Sequence, residues 1–375
     1  MTTMRRLFFA LFVLISQPTL AAEQQLYSKE LKPLNGQMAT QSQADLCTVA
    51  QGTLNYLSKG QSYDPEVIQP GFLAQFGVGM SRIKQTLRFV CQVQQQDKTA
   101  GRPSRLADPA FISQHFEMYR WRPDKQQSAT FAAKKPLLQN IPADKILLTK
   151  YYIKLAQGSP VKTPQTPHAL YEIPHDEQGL TLEQAELKKH QLIRFRYTKQ
   201  QVLTGILDKN QWAKPLIWLS REGLEDTLMQ GTVKIDANGS SRFFNVHRNN
   251  GIGYQRGLKK REQKRYWYFK QTPGVLGYGK DAGYKIAIHP MVTVAGDLKQ
   301  LGLGKLVLLS NNGEHRLAVL ADTGGAFENN HYQLDYLGGF FKNWKDYINS
   351  YRTFPDYFEA RILVLKTTSE SGEKQ

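Results

Sequence analysis

Cysteines and long apolar runs are scarce in this chain. Its 375 residues include only 2 cysteines, and after the N-terminal segment no window reaches the roughly 18 uncharged apolar residues that a membrane-spanning helix needs. The sequence also lacks an HExxH motif, paired CxxC motifs, a GxSxG elbow and a phosphate-binding loop, and its 8 histidines are scattered. Metalloprotease, zinc-module, serine-hydrolase and P-loop functions therefore lack their minimal parts.

The N-terminal segment has the order of a secretory signal. Arg5 and Arg6 precede the apolar run LFFALFVLIS, and small residues follow in QPTLAA. This order predicts a signal peptide over residues 1–22, with cleavage near Ala21 or Ala22. The apolar run is too short to span a bilayer, so we expect an exported protein without a transmembrane segment after cleavage.

Export affects the interpretation of the cysteines and of the charge. In an oxidising compartment, a disulfide between Cys47 and Cys91 would stabilise the fold by about 4 kcal/mol, and two buried free thiols are almost as well supported. The net charge of +17 would normally indicate nucleic acid, but outside the cytoplasm it favours an anionic wall polymer. The densest basic stretch, RGLKKREQKRYWYFK from Arg256, either grips such a polymer or is a solvated loop.

Apolar spacing predicts helices in the N-terminal third. QADLCTVAQGTLNYLSKG (43–60) and MSRIKQTLRFVCQVQ (80–94) both place apolar residues at intervals of three and four, which is typical of packing helices. One shorter helix is predicted over LTLEQAELKKHQLI (180–193), where Thr181 caps the first turn and Gln184 reaches back to it.

From Lys145 onwards the pattern is that of strands, beginning with KILLTKYYIKL (145–155). The proline-rich segment 159–174 excludes a helix or a central strand there. Asn238-Gly239 and Asn312-Gly313 each lie between β-like runs, and this dipeptide tolerates the positive φ that tight hairpins need. The expected fold class is therefore mainly β with N-terminal helices. The final polar residues, 368–375, are predicted to be disordered.

Two aspartates stand out in LADTGGAFENNHYQLDYLGG (320–339). Asp322 and Asp335 each end an apolar strand pattern, so we expect them at the rim of a sheet, where the low dielectric raises a carboxyl pKa. The adjacent glycines allow a bulky ligand to approach the main chain. Spacing alone favours the alternative that both aspartates only bond turn backbone. A metal shared by His331 and Asp335 would need a helix, which the following glycines argue against, so no metal site is predicted.

Three further segments precede this one in the chain. In chain order, these segments and the aspartate segment resemble four motifs of the membrane-bound lytic transglycosylase A (MltA) family. The first, LLTKYYIKLAQGS with LYEIP, resembles a strand of threonine, glycine and tyrosines with its PLY-like turn, and the second, PLIWLSREGLEDTLMQGTV, resembles a W-L…D…QGSG segment. The third, RNNGIGYQ, resembles an NG…Y loop, and ADTGGAFENNHYQLDYLGG resembles the three-aspartate (3D) signature. The set covers the chain from about Leu147 to Lys366.

The resemblance implies a fold of two β-domains divided by a groove. One domain would be a six-stranded double-psi β-barrel built from both ends of the chain, and a smaller β-barrel would be inserted into it. The implied division is an N-terminal helical region with the first part of the barrel domain over 23–154, an inserted β-domain over 155–261 and the 3D barrel domain over 262–367.

The resemblance also implies an activity: cleavage of the β-1,4 bond between N-acetylmuramic acid and N-acetylglucosamine in peptidoglycan, with formation of a 1,6-anhydro ring. Asp335 aligns with the catalytic aspartate of the family and would act as acid and then as base, while Asp322 would orient groups around it. No cofactor is implied. The substrate-binding positions implied by the matching motifs are Thr149, Tyr151, Gln230, Gly231, Gly324 and Gly325.

The same resemblance implies glycan strands as the partner, a bacterial periplasm or cell envelope as the location, and wall-remodelling proteins as possible further partners. The sequence departs from the family pattern where His289 replaces its first aspartate, and where KYYIK and QGTV lack expected residues. These departures favour an alternative, a catalytically weak peptidoglycan-binding protein of the same fold. A nucleic-acid binder rests on charge alone, and no nucleic-acid partner is expected.

Overall fold

The structure, a computed structural model, contains eleven α-helices and fourteen β-strands in the part of the chain that it describes. The described residues are 25–134, 136–237, 239–255, 258–280, 282–324 and 327–367. The predicted signal peptide (1–22) and the predicted disordered tail (368–375) both lie outside these ranges.

The strands are spread over the whole described chain. Most helices lie either before β4 or between β5 and β7. The strands are β1 (Tyr27–Glu30), β2 (Gln37–Met38), β3 (Phe116–Trp121), β4 (Ile146–Gln157), β5 (His168–Tyr171), β6 (Pro215–Leu219), β7 (Thr232–Ala237), β8 (Ser240–Asn249), β9 (Trp267–Thr272), β10 (Thr293–Ala295), β11 (Leu306–Asn311), β12 (Glu314–Asp322), β13 (Gln333–Phe341) and β14 (Tyr357–Leu365). The helices are α1 (Gln43–Leu57), α2 (Met80–Thr99), α3 (Pro109–His115), α4 (Lys125–Phe131), α5 (Pro136–Gln139), α6 (Leu182–Leu187), α7 (Lys199–Leu203), α8 (Ile206–Lys209), α9 (Arg221–Gln230), α10 (Leu298–Leu301) and α11 (Trp344–Ser350).

Six strands close into a ring. Following the hydrogen-bonded pairs, β4 joins β14, then β11, β12, β10 and β13, and β13 returns to β4. The β10–β12 and β13–β4 pairs are parallel, and the other four are antiparallel. Since β4 precedes residue 158 and the other five strands follow residue 292, this barrel is built from segments on both sides of residues 158–292. The double-psi crossing itself stays a prediction.

Apolar runs explain why the barrel strands β11 and β12 are largely buried on both faces. The run Leu306–Leu309 in β11 and the run Leu317–Ala321 in β12 are each at most 1% exposed, as expected for a continuous apolar strand. The helices α1 and α2 cover part of this surface with the apolar faces predicted from their spacing, including Leu46, Val49 and Leu87. Full burial of such a side chain stabilises the fold by about 1.5–3 kcal/mol.

A second buried cluster is formed by the segment of the chain that lies, in sequence, between the barrel strands β4 and β10. It gathers apolar residues from Ala169 to Phe269, and its sheet is β7, β8 and β9. The end of β4, Lys154–Gln157, pairs in parallel with Val233–Asp236 of β7. One continuous strand therefore belongs to the barrel and to the sheet of the second cluster. The domain boundaries at 155 and 261 stay predictions.

Several local predictions are confirmed. Asn312-Gly313 connects β11 to β12 with φ of 50° and 79°, and Thr181 with Gln184 forms the capping box of α6. The hairpin of β7 and β8 turns at Gly239, with φ of 79°, while Asn238 lies outside the described residues. Helix α6 ends at Leu187 rather than near residue 193.

The expectation of a mainly β chain needs correction. Helices continue through the second cluster as α6, α7, α8 and α9. In α9, Leu224 and Leu228 are buried one turn apart, and Gly231 ends the helix with φ of 76°. The barrel is thus a β-structure, but the chain as a whole mixes helices and strands. No helix in the described ranges is long and apolar enough to cross a membrane.

Cys47 of α1 and Cys91 of α2 form a disulfide, which decides between the two states that the sequence left open. The bond links residues 44 positions apart, with their Cα atoms separated by 4.8 Å. Closing such a loop restricts the unfolded chain and thereby stabilises the folded state.

Breaking the Cys47–Cys91 bond is expected to lower the free energy of unfolding by about 4 kcal/mol. Urea unfolding of the wild type, with and without reductant, measures this loss, and the Cys47→Ser/Cys91→Ser variant provides the control because reductant should not affect it. A wild-type midpoint that is unchanged by reductant would contradict the presence of the bond.

Candidate active site

The two predicted aspartates lie in one row across the barrel. Ala295 of β10 is the register partner of Asp322 on β12 and of Asp335 on β13, and Asp335 is in turn the partner of Thr149 on β4. Because neighbouring strands lie about 4.8 Å apart, two strand spacings separate the backbones of the aspartates by about 10 Å. The small residue between them leaves the space above the row open.

A groove with a volume of about 520 Å³ lies over this row. One wall comes from the barrel, and the opposite wall comes from the end of α9 and from β7 and β8. The barrel side contributes Tyr151, Asp322, Gly324, Phe327 and Asp335, and the opposite side contributes Met229, Gln230, Gly231, Thr232 and Val246. The middle of β4 runs along the groove as Tyr151–Ile153, immediately before the residues of β4 that pair with β7.

Asp322 is held by two hydrogen bonds at the end of β12. Tyr151 Oη donates to its Oδ2 at 2.7 Å, and the backbone N–H of Thr323 donates to its Oδ1 at 2.9 Å. Burial raises the pKa of Asp322 to about 6, against the opposing effects of the two hydrogen bonds and of the Lys285 charge. The carboxyl group therefore changes protonation state just below neutral pH.

The pKa of Tyr151 is affected by both carboxylates. Burial raises its pKa well above the ordinary value, and the charges of Asp322 and Asp335 add to the effect. The phenol therefore stays protonated and remains a donor to Asp322. Asp335 is half-buried, and its charge also adds to the effect of burial on the pKa of Tyr347.

Six of the eight site residues predicted from the sequence line the groove, namely Asp322, Asp335, Tyr151, Gln230, Gly231 and Gly324. Gly325 lies outside the described residues. Thr149 lies beside Asp335 in the row, and its hydroxyl binds within the sheet: it donates to the Leu334 carbonyl at 3.2 Å and accepts from Gln333 Nε2 at 2.6 Å.

One wall of the groove consists of residues that were not predicted from the sequence. Gly277, Tyr278, Gly279 and Lys285 line it, and the backbone pairs across this loop, where Ile286 N–H donates to Tyr278 O at 2.9 Å. Tyr278 Oη also donates to Asp64 Oδ2 at 2.8 Å. In the sequence, this wall is marked only by the glycines and tyrosines of GYGKDAGYK (277–285), which ends at Lys285.

His289, which replaces an expected aspartate, interacts away from the lining of the groove. Its Nδ1 lies 3.3 Å from Asp45 Oδ1 at the start of α1, while its neighbour Ile288 lines the groove. Among the described residues, no group of three or more histidines, cysteines and acidic residues could hold a metal ion.

Comparisons with known proteins bear on this arrangement. No protein-family model matches the chain, and no curated protein matches it by sequence. Among solved structures, a membrane-bound lytic murein transglycosylase from Agrobacterium tumefaciens is similar at a TM-score of 0.56 and 13% identity, over 88% of this chain and 94% of that one. MltA from Neisseria gonorrhoeae, in a monoclinic form, gives 0.54 and 13% over 92% and 97%.

Escherichia coli MltA, solved with bound chitohexaose, gives a TM-score of 0.53 and 14% identity, over 92% of this chain and 96% of that one. The chain has the MltA fold. The resemblance noted in the sequence is thereby confirmed at the level of the fold.

The environment of Asp322 predicts a measurable titration. Carbon-detected NMR should give a carboxyl pKa of about 6 in the wild type, and a higher value in Tyr151→Phe, because the lost hydrogen bond favoured the carboxylate. Tyr347→Phe is the control, since Tyr347 Oη donates to the Lys150 carbonyl and not to Asp322. An ordinary aspartate pKa in the wild type, or no rise in Tyr151→Phe, would contradict this electrostatic description.

Proposed function

We propose that this chain is a peptidoglycan lytic transglycosylase, which cleaves the β-1,4 bond between N-acetylmuramic acid and N-acetylglucosamine. The main support is the row of Asp322, Ala295 and Asp335 below a groove of about 520 Å³ in a chain with the MltA fold. A groove open to solvent fits a polymeric substrate, and the binding of chitohexaose by E. coli MltA supports a saccharide.

The proposed reaction needs one acid–base group. The carboxyl group of Asp335 donates its proton to the glycosidic oxygen as the bond from that oxygen to C1 of N-acetylmuramic acid breaks. The 6-hydroxyl oxygen of the same sugar then bonds to C1, and its proton returns to the Asp335 carboxylate. No water is consumed, so the product carries a 1,6-anhydro ring. Hydrolytic glycosidases instead need a second carboxylate that attacks the sugar or activates water.

Asp322 serves as the stabilising charge in this proposal. With a pKa of about 6, it is largely ionised at neutral pH, and it faces the positive charge that develops on the sugar ring as the bond breaks. Tyr151 fixes the orientation of this carboxylate through its 2.7 Å hydrogen bond. The two aspartates thus have different roles, as their different surroundings suggest.

The walls of the groove provide the remaining saccharide contacts. Gln230 offers amide donors and acceptors for sugar hydroxyl and acetamide groups, and Tyr151 offers an aromatic face. Gly231 and Gly324 allow a sugar to approach the backbone. Gly325 and Thr149 complete the proposed substrate-binding set, with Thr149 acting through the row that it shares with Asp335.

The proposal places the protein in the bacterial periplasm or cell envelope after removal of residues 1–22, with glycan strands as its partner and wall-remodelling proteins as further partners. It assigns residues 23–154 and 262–367 to a double-psi barrel domain with its N-terminal helices, and residues 155–261 to the inserted domain. The closed ring of six strands and the separate second cluster support a division into two domains, and the second cluster extends to Phe269, beyond the proposed boundary at residue 261.

Digestion of purified sacculi tests the activity. Mass spectrometry of the soluble products should show anhydro-muropeptides, lighter by one water than the products of hydrolysis. Asp335→Asn is expected to release less than about one hundredth of the wild-type product, because general acid–base groups typically contribute 10²–10⁴-fold. Asp144→Asn, at an exposed aspartate that lies 3.9 Å from Arg120, is the matched control and should retain activity.

Hydrolysis products without the anhydro ring would contradict the transglycosylase proposal. If sacculi yield no soluble product but still sediment with the wild-type protein, the second candidate applies, a peptidoglycan-binding protein of the same fold. His289 is the observation that favours this candidate, because it pairs with Asp45 where the family pattern has an aspartate.

A further inference from the structure

Lys285 introduces a cation into the groove that the proposed reaction does not use. It lines the same groove as Asp322 and Asp335. Its Nζ donates to the Val246 carbonyl at 3.2 Å, and none of the described carboxylates forms a salt bridge with it. Since an ammonium group has three donors, this bond leaves two of them for a ligand in the groove that Lys285 lines.

The backbone around Lys285 is held firmly in place. Gly279 packs so closely that an added Cβ would lie 2.7 Å from Lys285 Cα. The neighbouring residues pair across the loop, with Gly277 N–H donating to Ile286 O at 2.8 Å. Tyr278 is anchored to Asp64, which also accepts from Tyr56 Oη at 2.6 Å. Little backbone freedom therefore needs to be lost when Lys285 binds a ligand.

A half-buried ammonium with one neutral acceptor is poorly compensated in the free protein. Burial lowers the pKa of Lys285, and the negative charge of Asp322 only partly offsets this effect. An anionic oxygen placed within hydrogen-bonding distance would replace the lost hydration with a charge-assisted bond. A neutral saccharide offers hydroxyl and acetamide groups, but no such charge.

We infer that Lys285 binds a carboxylate carried by the glycan, and so selects strands that contain a lactyl-ether sugar over neutral chitooligosaccharides. This inference rests on the proposed function, and it names the feature of the substrate that the groove recognises. The carboxylate has two sources, the lactyl group of a strand without peptides and the peptide stem of an intact strand. Both present a carboxylate beyond the sugar ring, and the test separates them.

Binding is measured by calorimetry in the full chain carrying Asp335→Asn, so that no turnover occurs. The ligands are chitohexaose, a peptide-free glycan oligosaccharide of the same length, and the same oligosaccharide with its peptide stems. Because a hydrogen bond to a charged group is among the stronger ones, we expect at least one carboxylate-bearing strand to bind about tenfold or more tightly than chitohexaose. Whichever strand shows the preference identifies the source of the carboxylate.

When Lys285→Met is introduced into the chain carrying Asp335→Asn, the preference for the carboxylate-bearing strand over chitohexaose is expected to fall to about onefold. Lys285→Arg should keep most of this preference. Lys285→Gln removes the charge but keeps hydrogen bonding, so the conclusion does not depend on a single variant that folds. Lys270→Met is the matched control, because this exposed lysine of β9 is not part of the groove lining. It removes the same net charge and should leave the preference intact.

Equal affinity for all three ligands would overturn the inference for Lys285 and leave the proposed function standing. An equal loss of affinity for all three ligands in Lys285→Met would also overturn it, because Lys285 would then act through Asp322 or the loop. If no saccharide binds to Asp335→Asn, the proposed function fails, and the inference fails with it.

Discussion

The register of the closed barrel is the constraint on which the site depends. Asp322 and Asp335 are thirteen residues apart in sequence, and only the insertion of β10 between β12 and β13 brings them to opposite sides of Ala295. A slip of one residue in either pairing would turn a carboxylate to the other face of the sheet. Ring closure opposes such a slip, because each of these strands is hydrogen-bonded on both sides.

Burial gives this geometry its chemical character. The carboxyl group of Asp322 lies against the apolar end of β12, and desolvation raises its pKa against the pull of its hydrogen bonds. The same desolvation keeps Tyr151 protonated and weakens the charged state of Lys285. Three ionisable groups of different types thus have altered proton affinities in one groove. Such clustering is typical of functional sites, and on a solvated turn the carboxyl group of Asp322 would not be desolvated in this way.

Local features could be predicted from the sequence because their causes are local. The turn at Asn312-Gly313 and the cap formed by Thr181 and Gln184 need only neighbouring residues. Asp322 and Asp335 could be singled out because each follows an apolar run and precedes glycines. Helix α9 was missed although Leu224 and Leu228 are one turn apart, since the segment was interpreted through its resemblance and not through its periodicity.

Non-local features could not be predicted in this way. The strand β10 has three residues, too few for a periodic signal, and yet it places both aspartates. Tyr278 and Asp64, which are 214 residues apart, meet through folding alone. Lys285 resembles any loop lysine until the groove is known. The MltA resemblance anticipated the ring of strands, but composition and spacing by themselves would not have closed it.

The contact between Tyr278 and Asp64 has a consequence for maturation of the protein. Asp64 also accepts a hydrogen bond from Tyr56, which lies in α1. The same helix contains Cys47, whose disulfide links α1 to α2. The wall that contains Tyr278 is therefore connected to the helices α1 and α2, which are covalently linked once Cys47 and Cys91 have been oxidised. While both thiols are reduced, that wall would be held by hydrogen bonds and packing alone, so formation of the disulfide would also stiffen the wall of the groove.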